Sequence, residues 1–339
     1  MTITEPTSRP PAEVADGIWR VDVNVPFRGL RQVNMWLIRD GDGWTMVDCG
    51  WGDAPTRAAI EHAWDTVLGG KPVTRLIVTH FHPDHMGNCR WICERWKLRP
   101  ETSQTEWLAA QLAVRSLYSD SIEQRLKFFR ENGLSDELLE TFSKGWLLYS
   151  NGVELADNYK RLKDGDFVAC AGGDWRVIIG RGHSPEMVTL YSEARGIYIS
   201  GDQMLPKITS NVSVFPWEPL ADPLAEFLES AARIGREIAD DVLILPSHRD
   251  PFRGARQRAA ELEHHHAERL DLVRQILSKQ GSVPAGQMLD ELFNRKLDGH
   301  QVSFAMGEAL AHLNFLVLRG EVQRTPGPDG VVRFTLSKS

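Results

Sequence analysis

Residues Thr79, His80, Phe81, His82, Pro83, Asp84 and His85 place three imidazoles and a carboxylate on one short run, directly after the apolar residues Leu76, Ile77 and Val78. Neutral imidazole and carboxylate are the ligands that zinc and similar first-row cations take. A strand ending in His-x-His-x-Asp-His throws several of them onto one loop. Cations held there would activate water and polarise a carbonyl. A surface loop that is merely rich in histidine is the bland alternative, and the segments downstream argue against it.

Four further polar residues follow the same plan, each just beyond a short apolar or β-branched run. Asp48 follows Trp44, Thr45, Met46 and Val47 and precedes Cys49 and Gly50. His183 stands between Gly182 and Ser184, after Val177, Ile178 and Ile179. Asp202 follows Ile197, Tyr198, Ile199, Ser200 and Gly201, and His248 follows Leu243, Ile244, Leu245, Pro246 and Ser247. Strand ends and the loops after them are where an α/β scaffold gathers its chemistry. Asp48 also reads as an ordinary turn aspartate. Glycine beside His183 lets backbone approach a metal loop closely. Thr79 and Ser184 read as loop hydrogen-bonders.

Residues 17–252 resemble the metallo-β-lactamase superfamily of metallohydrolases, on the His-x-His-x-Asp-His motif with His183, Asp202 and His248 following in the family's order. The resemblance implies an α/β fold, an αββα sandwich with a dinuclear metal site along one edge. It implies that His80, His82 and His183 hold one metal, that Asp84, His85 and His248 hold the second, and that Asp202 bridges them. Two Zn2+ are the expected cofactors, and iron or manganese suits the same ligands. Close cations repel, so a shared carboxylate and a shared hydroxide belong between them. Asp84 would orient that nucleophile and pass a proton to the leaving group, while Asp48 would support the ligand loops from behind.

The elements that must position these residues are legible in outline. Residues 18–25, 34–39 and 44–47 read as strands, 55–68 as a helix, 76–79 as the strand feeding the metal loop, and 87–96 as the helix after it. Between about 101 and 163 strand signals fade, and 105–118, 121–131 and 135–148 read as helices, the last with Ser135 as N-cap. This helical insertion reads as a lid over the metals, with Trp107, Trp146 and Tyr149 as candidate substrate-binding residues, or equally as a unit glued to the sandwich by those same rings. Strands return at 167–169, 175–179, 187–191, 197–199 and 242–245, with a helix at 223–238. The loop 205–216, carrying Lys207, and Trp217 beyond it are expected to line the site. The catalytic domain is expected over 17–255.

Beyond it, helices at 256–280, 284–293 and 303–316 precede a hairpin of 321–324 and 331–336. This is similar to a small winged-helix domain over 256–339. From residue 261 onward it carries 9 Lys and Arg against 10 Asp and Glu, so packing or homodimerisation suits it better than nucleic-acid binding.

Composition sets the remaining bounds. A chain of 339 residues, 42% hydrophobic, supports a substantial core and suggests two units. No apolar run approaches the ~20 residues of a membrane span. Residues 1–16 are polar without a signal pattern, so a disordered lead-in and a cytoplasmic location are expected. The net charge of -7 argues against generic nucleic-acid binding. Cys49, Cys89, Cys93 and Cys170 are too few for a disulfide framework and read as buried apolar residues. His264, His265 and His266 read as a solvated helix face, and His62, His300 and His312 lack ligand-type neighbours at useful spacing.

Such a metal site sets the reaction class as hydrolysis. The His-Pro-Asp-His and Gly-His-Ser-Pro settings resemble the glyoxalase II-like branch, which implies a small-molecule thioester or related carboxylic ester. A lactonase, with a tyrosine of the insertion assisting the carbonyl, and a ribonuclease are the alternatives. The acidic C-terminal unit counts against the ribonuclease.

Overall fold

The β-branched and aromatic runs before the histidine motif become one sheet. β1 (Ala12–Ala15), β2 (Ile18–Asn24), β3 (Gln32–Asp40) and β4 (Gly43–Val47) are antiparallel neighbours. β5 (Val73–Ile77), β6 (Pro100–Thr102) and β7 (Lys160–Arg161) continue it in parallel. The computed structural model describes residues 9–26, 30–115, 118–145, 149–170, 173–294 and 296–338. A second sheet holds β8 (Phe167–Cys170), β9 (Gly173–Gly180), β10 (Met187–Ser192), β11 (Ile197–Gly201) and β12 (Leu243–Pro246), in the order β12-β11-β10-β9-β8. Only the β11–β12 pair is parallel there.

The sheets face each other across Trp36, Ile38, Val47 and Ile77 on one side and Trp175, Val177, Val188 and Ile199 on the other. Strands buried on both faces must be apolar on both faces, which is why these segments show little alternation. Helices α1 (Ala54–Val67) and α3 (Cys89–Trp96), the latter preceded by the single turn α2 (Pro83–Met86), cover the outside of the first sheet. Helix α7 (Pro223–Glu237) and the start of α8 (Ala255–Gln280) cover the second. The four layers are the expected αββα sandwich. Asp53 caps α1 by accepting the Thr56 N–H, and Asp222 caps α7 by accepting that of Ala225. All four cysteines are buried and free.

The insertion forms α4 (Gln104–Arg115), α5 (Tyr118–Glu131) and α6 (Asp136–Gly145). It divides between two cores. Trp107 and Ala110 of α4 join the sandwich, whereas Phe128, Phe129, Leu139 and Phe142 of α5 and α6 join a separate core with the C-terminal elements. Those are the rest of α8, α9 (Leu289–Phe293), α10 (Gly299–Leu318), and the hairpin β13 (Val322–Pro326) and β14 (Val332–Leu336).

Several expectations shift. Ala12–Ala15 are a strand paired with β2, where a disordered lead-in was expected; pairing with an open sheet edge needs little side-chain patterning. The helix expected over 284–293 is a 3-10 turn, Ala285–Met288, followed by α9. Helix α10 starts ahead of the expected residue 303 because Asp298 and Gln301 form a capping box. By length and composition α10 could cross a membrane, but it is the central helix of the C-terminal core. His266 is not on a solvated face. It is buried against His312, with His266 Nδ1 3.2 Å from His312 Nε2.

Candidate metal centre

Parallel neighbours deliver their following loops to the same edge of a sheet, so β4 with β5 and β11 with β12 converge there. Asp48 leaves β4, residues 79–85 leave β5, His183 follows β9, Asp202 follows β11 and His248 follows β12. Backbone bonds join the two sheets at this edge. The Val188 N–H donates to Thr79 O at 2.8 Å, and the Asn34 N–H donates to Ser247 O at 2.7 Å. Gly182, at φ 94°, lets the His183 loop lie against α7: a Cβ there would meet the Pro223 carbonyl oxygen at 2.3 Å.

The seven ligand-type side chains predicted from sequence meet in one cluster. Ligand atoms of His80, His82 and His183 lie within 4.8 Å of one another, as do those of Asp84, His85 and His248. His80 Nε2 is 3.0 Å from His82 Nδ1 and 3.3 Å from His183 Nε2. Asp202 faces both groups: its Oδ2 is 3.6 Å from His183 Nε2 and 3.4 Å from His248 Nε2.

Four of the imidazoles are aimed from behind. The Nδ1 atoms of His183 and His248 each lie 2.7 Å from a carbonyl, of Asn211 and Gln32 respectively. His85 Nδ1 lies 2.9 Å from Asp48 Oδ2, and His80 Nδ1 lies 2.9 Å from Thr79 Oγ1. An outer partner on Nδ1 leaves Nε2 to face inward. Asp48, buried and at φ 68°, also accepts the Thr79 N–H at 2.7 Å and the Thr79 hydroxyl at 3.0 Å. It supports two histidine positions at once, more than a turn aspartate does.

The donor set fits divalent cations. His85 Nε2, His248 Nε2 and Asp202 Oδ1 are buried inside the cluster without a hydrogen-bond partner, a costly state unless something else binds them. Burial holds the pKa of His80 far below the usual imidazole range and that of His82 at about 3, so both present lone pairs. Burial works against ionised Asp84 and Asp202, but the facing histidines, His85 first at Asp84 and His248 first at Asp202, hold both carboxyls below their usual range. Burial also works against a charged His85, yet Asp84, Asp48 and Asp202 raise it well above the ordinary imidazole value. This half of the cluster therefore draws positive charge, a demand that a bound cation meets.

Sequence reasoning missed Glu106. Its buried carboxylate accepts the Phe81 N–H at 2.9 Å, the Ser184 hydroxyl at 2.7 Å and the Glu186 N–H at 2.7 Å. One side chain of α4 thus ties the loop of His80 and His82 to the loop of His183. Burial pushes its carboxyl up to about 7, against those three donors.

The expected pocket residues divide. Trp107 is buried and stacks on Tyr159 with ring centroids 4.9 Å apart, so it packs rather than lines. Tyr149 donates its hydroxyl to the Phe81 carbonyl. Lys207 is exposed on its loop at φ 64°. Trp217 is 45% exposed and stacks on Phe215. Trp146 lies outside the described residues.

Known proteins are similar to this chain in sequence and in fold. The sequence model of the Metallo-beta-lactamase superfamily matches residues 28–248, and that of the Metallo-beta-lactamase-like C-terminal domain matches residues 270–337. The crystal structure of a beta-lactamase domain protein from Burkholderia ambifaria is 41% identical, with a TM-score of 0.89, covering 99% of this chain and 97% of that one. A metallo-beta-lactamase family protein from Thermus thermophilus is 27% identical, with a TM-score of 0.80, covering 96% of this chain and 100% of that one. An uncharacterized protein from Aquifex aeolicus is 22% identical over 187 residues, which is 55% of this chain and 73% of that protein. With the histidine and aspartate cluster, the sandwich and the match to residues 28–248 in agreement, the chain belongs to the metallo-beta-lactamase superfamily of metallohydrolases.

Proposed function

We propose that the chain hydrolyses a thioester or related carboxylic ester, using two divalent cations, zinc by default, held as the family resemblance implies. His80, His82 and His183 would hold one, Asp84, His85 and His248 the other, with Asp202 between. The observation that carries this is the convergence of seven ligand-type side chains with His85 Nε2, His248 Nε2 and Asp202 Oδ1 left unsatisfied. Bound cations supply Lewis acidity, polarising a carbonyl and lowering the pKa of water.

The chain's own groups do the rest. Asp84 Oδ2 lies 3.5 Å from both His85 Nε2 and His248 Nε2, which holds the carboxylate against that half of the cluster. With its pKa at about 2, Asp84 is ionised at neutral pH. It accepts a hydrogen bond from the attacking water, takes its proton, and returns that proton to the leaving sulfur or oxygen. The glyoxalase II-like settings around His82 and His183 favour a thioester over the other acyl compounds. The acidic balance of the C-terminal unit, which we read as a winged-helix-like packing module, favours a small molecule over RNA.

The test is an assay of zinc-reconstituted protein against acyl thioesters, lactones, β-lactams and RNA. Metal-dependent turnover of thioesters is expected, falling roughly 100-fold or more in Asp84→Ala. Turnover of lactones or RNA with thioesters inert would overturn the substrate reading and leave the metallohydrolase standing.

A further inference from the structure

Phe81 stands between two inward-facing histidines, yet its ring joins an aromatic group at the edge of the cluster. Its centroid lies 4.7 Å from His82, 6.1 Å from Phe215 and 6.5 Å from Trp217. Trp217 stacks nearly parallel on Phe215, 4.4 Å apart and 4° between planes. Phe81 is buried, Phe215 half-buried and Trp217 45% exposed, so the group emerges from the core toward solvent. It emerges beside His82, which alone of the seven cluster residues is half-buried rather than buried. The cluster therefore opens where the aromatic group begins.

Trp217 is also held in place. The Glu218 N–H donates to Phe215 O at 3.0 Å, closing a turn around Trp217. Asn314, buried in α10, donates its amide to Pro219 O at 3.1 Å and to Ala221 O at 2.9 Å. The C-terminal core thus fixes the segment that presents an exposed indole. A large ring left exposed but kept rigid forgoes burial energy and has its ordering entropy already spent, which is the state that favours binding.

We infer that this aromatic shelf is an acyl-group subsite that takes a ring-bearing acyl group, stacked on Trp217 while its carbonyl sits at the metal cluster. The inference rests on the proposed ester or thioester hydrolysis. Offset stacking on the indole selects a planar ring over a short alkyl group. Phe81 neighbours both His82 and Trp217, so the shelf begins one side chain away from the cluster.

Binding of product-like acids tests this without turnover. Acetate and phenylacetate are titrated by calorimetry into the zinc-loaded protein, into Trp217→Ala and into Trp217→Phe. Phenylacetate is expected to bind about ten-fold tighter than acetate, with the preference lost in Trp217→Ala and kept in Trp217→Phe. No ring preference in the parent protein, including no measurable binding of either acid, overturns the inference, as does a preference that survives Trp217→Ala. The companion assay uses S-acetyl and S-phenylacetyl thioesters and the matching oxygen esters with one common leaving group. Ring-selective binding with every such ester inert supports the subsite and overturns the hydrolysis reading instead.

Discussion

Glu106 carries three donors on one carboxylate, and two of them are backbone N–H groups that cannot turn away. In Glu106→Gln the amide NH2 must face one of those donors, which leaves a buried N–H or hydroxyl unpaired. Phe81 lies between His80 and His82, and Ser184 follows His183, so the strain falls on all three imidazoles of one group. We expect Glu106→Gln to bind the cation of that group about 10–100-fold more weakly while the group of Asp84, His85 and His248 keeps its affinity. Zinc titration against a chromophoric chelator, with native mass spectrometry for stoichiometry, reads both sites, and equal affinities in parent and variant would sink the idea. The contrast with the ligands explains what the sequence revealed. His80, His82, Asp84 and His85 are compressed into one run, and His183, Asp202 and His248 each follow a strand. Glu106 is one glutamate on an amphipathic helix, and nothing local marks it as buried.

At the scale of elements, the insertion is a bridge as well as a neighbour of the site. Its helices α5 and α6 share a core with α8 and α10, and the turn between them meets the start of the 3-10 turn Ala285–Met288. The Gly286 N–H donates to Asn132 O at 2.9 Å, and a Cβ on Gly286 would stand 2.4 Å from the Gly133 carbonyl oxygen. Backbone cannot yield as a side chain does, so Gly286→Ala should cost about 1–3 kcal/mol, a fall of several degrees in Tm. Gly173→Ala, whose Cβ would meet only Ser192 Oγ at 3.8 Å, is the control expected to stay near the parent. A Gly286→Ala protein that melts with the parent would refute this seating of the insertion. Helical periodicity predicted α4, α5 and α6 as helices, since it records which face is apolar. It does not record which neighbour that face meets, so the division between two cores was not legible. Strands as short as β6 and β7 carry too few residues for a period to register.

For the whole molecule, a pair of histidines in the C-terminal core adds its own share to the acid sensitivity. His266 of α8 and His312 of α10 are both buried, with Phe227 of α7 edge-on to His266 at 5.6 Å. His312 Nδ1 is 2.8 Å from Glu308 O, so its Nε2 is left to accept from His266 Nδ1. The spacing of Leu262, His266, Leu270 and Val273 could have identified the buried face, but three adjacent histidines read more readily as a polar patch. Burial holds His266 at about 3 and His312 at about 4, and Arg269 and His265 nearby add to the effect, while Glu268 beside His265 opposes it at that ring. Both folded values lie below the ordinary imidazole pKa, so the unfolded chain binds protons first as pH falls. The pair's full contribution is therefore present above pH ~6.5 and is lost progressively as pH falls, down to about 4 for His312 and about 3 for His266, at up to roughly 1.4 kcal/mol per pH unit for each imidazole. In His266→Asn, the amide can donate to His312 Nε2 as Nδ1 did, and one titrating group is gone. Urea midpoints of the zinc-loaded proteins at about pH 7.5 and 5 should fall less for His266→Asn than for the parent. Parallel losses in the two proteins would place the acid sensitivity elsewhere and leave this pair as simple packing.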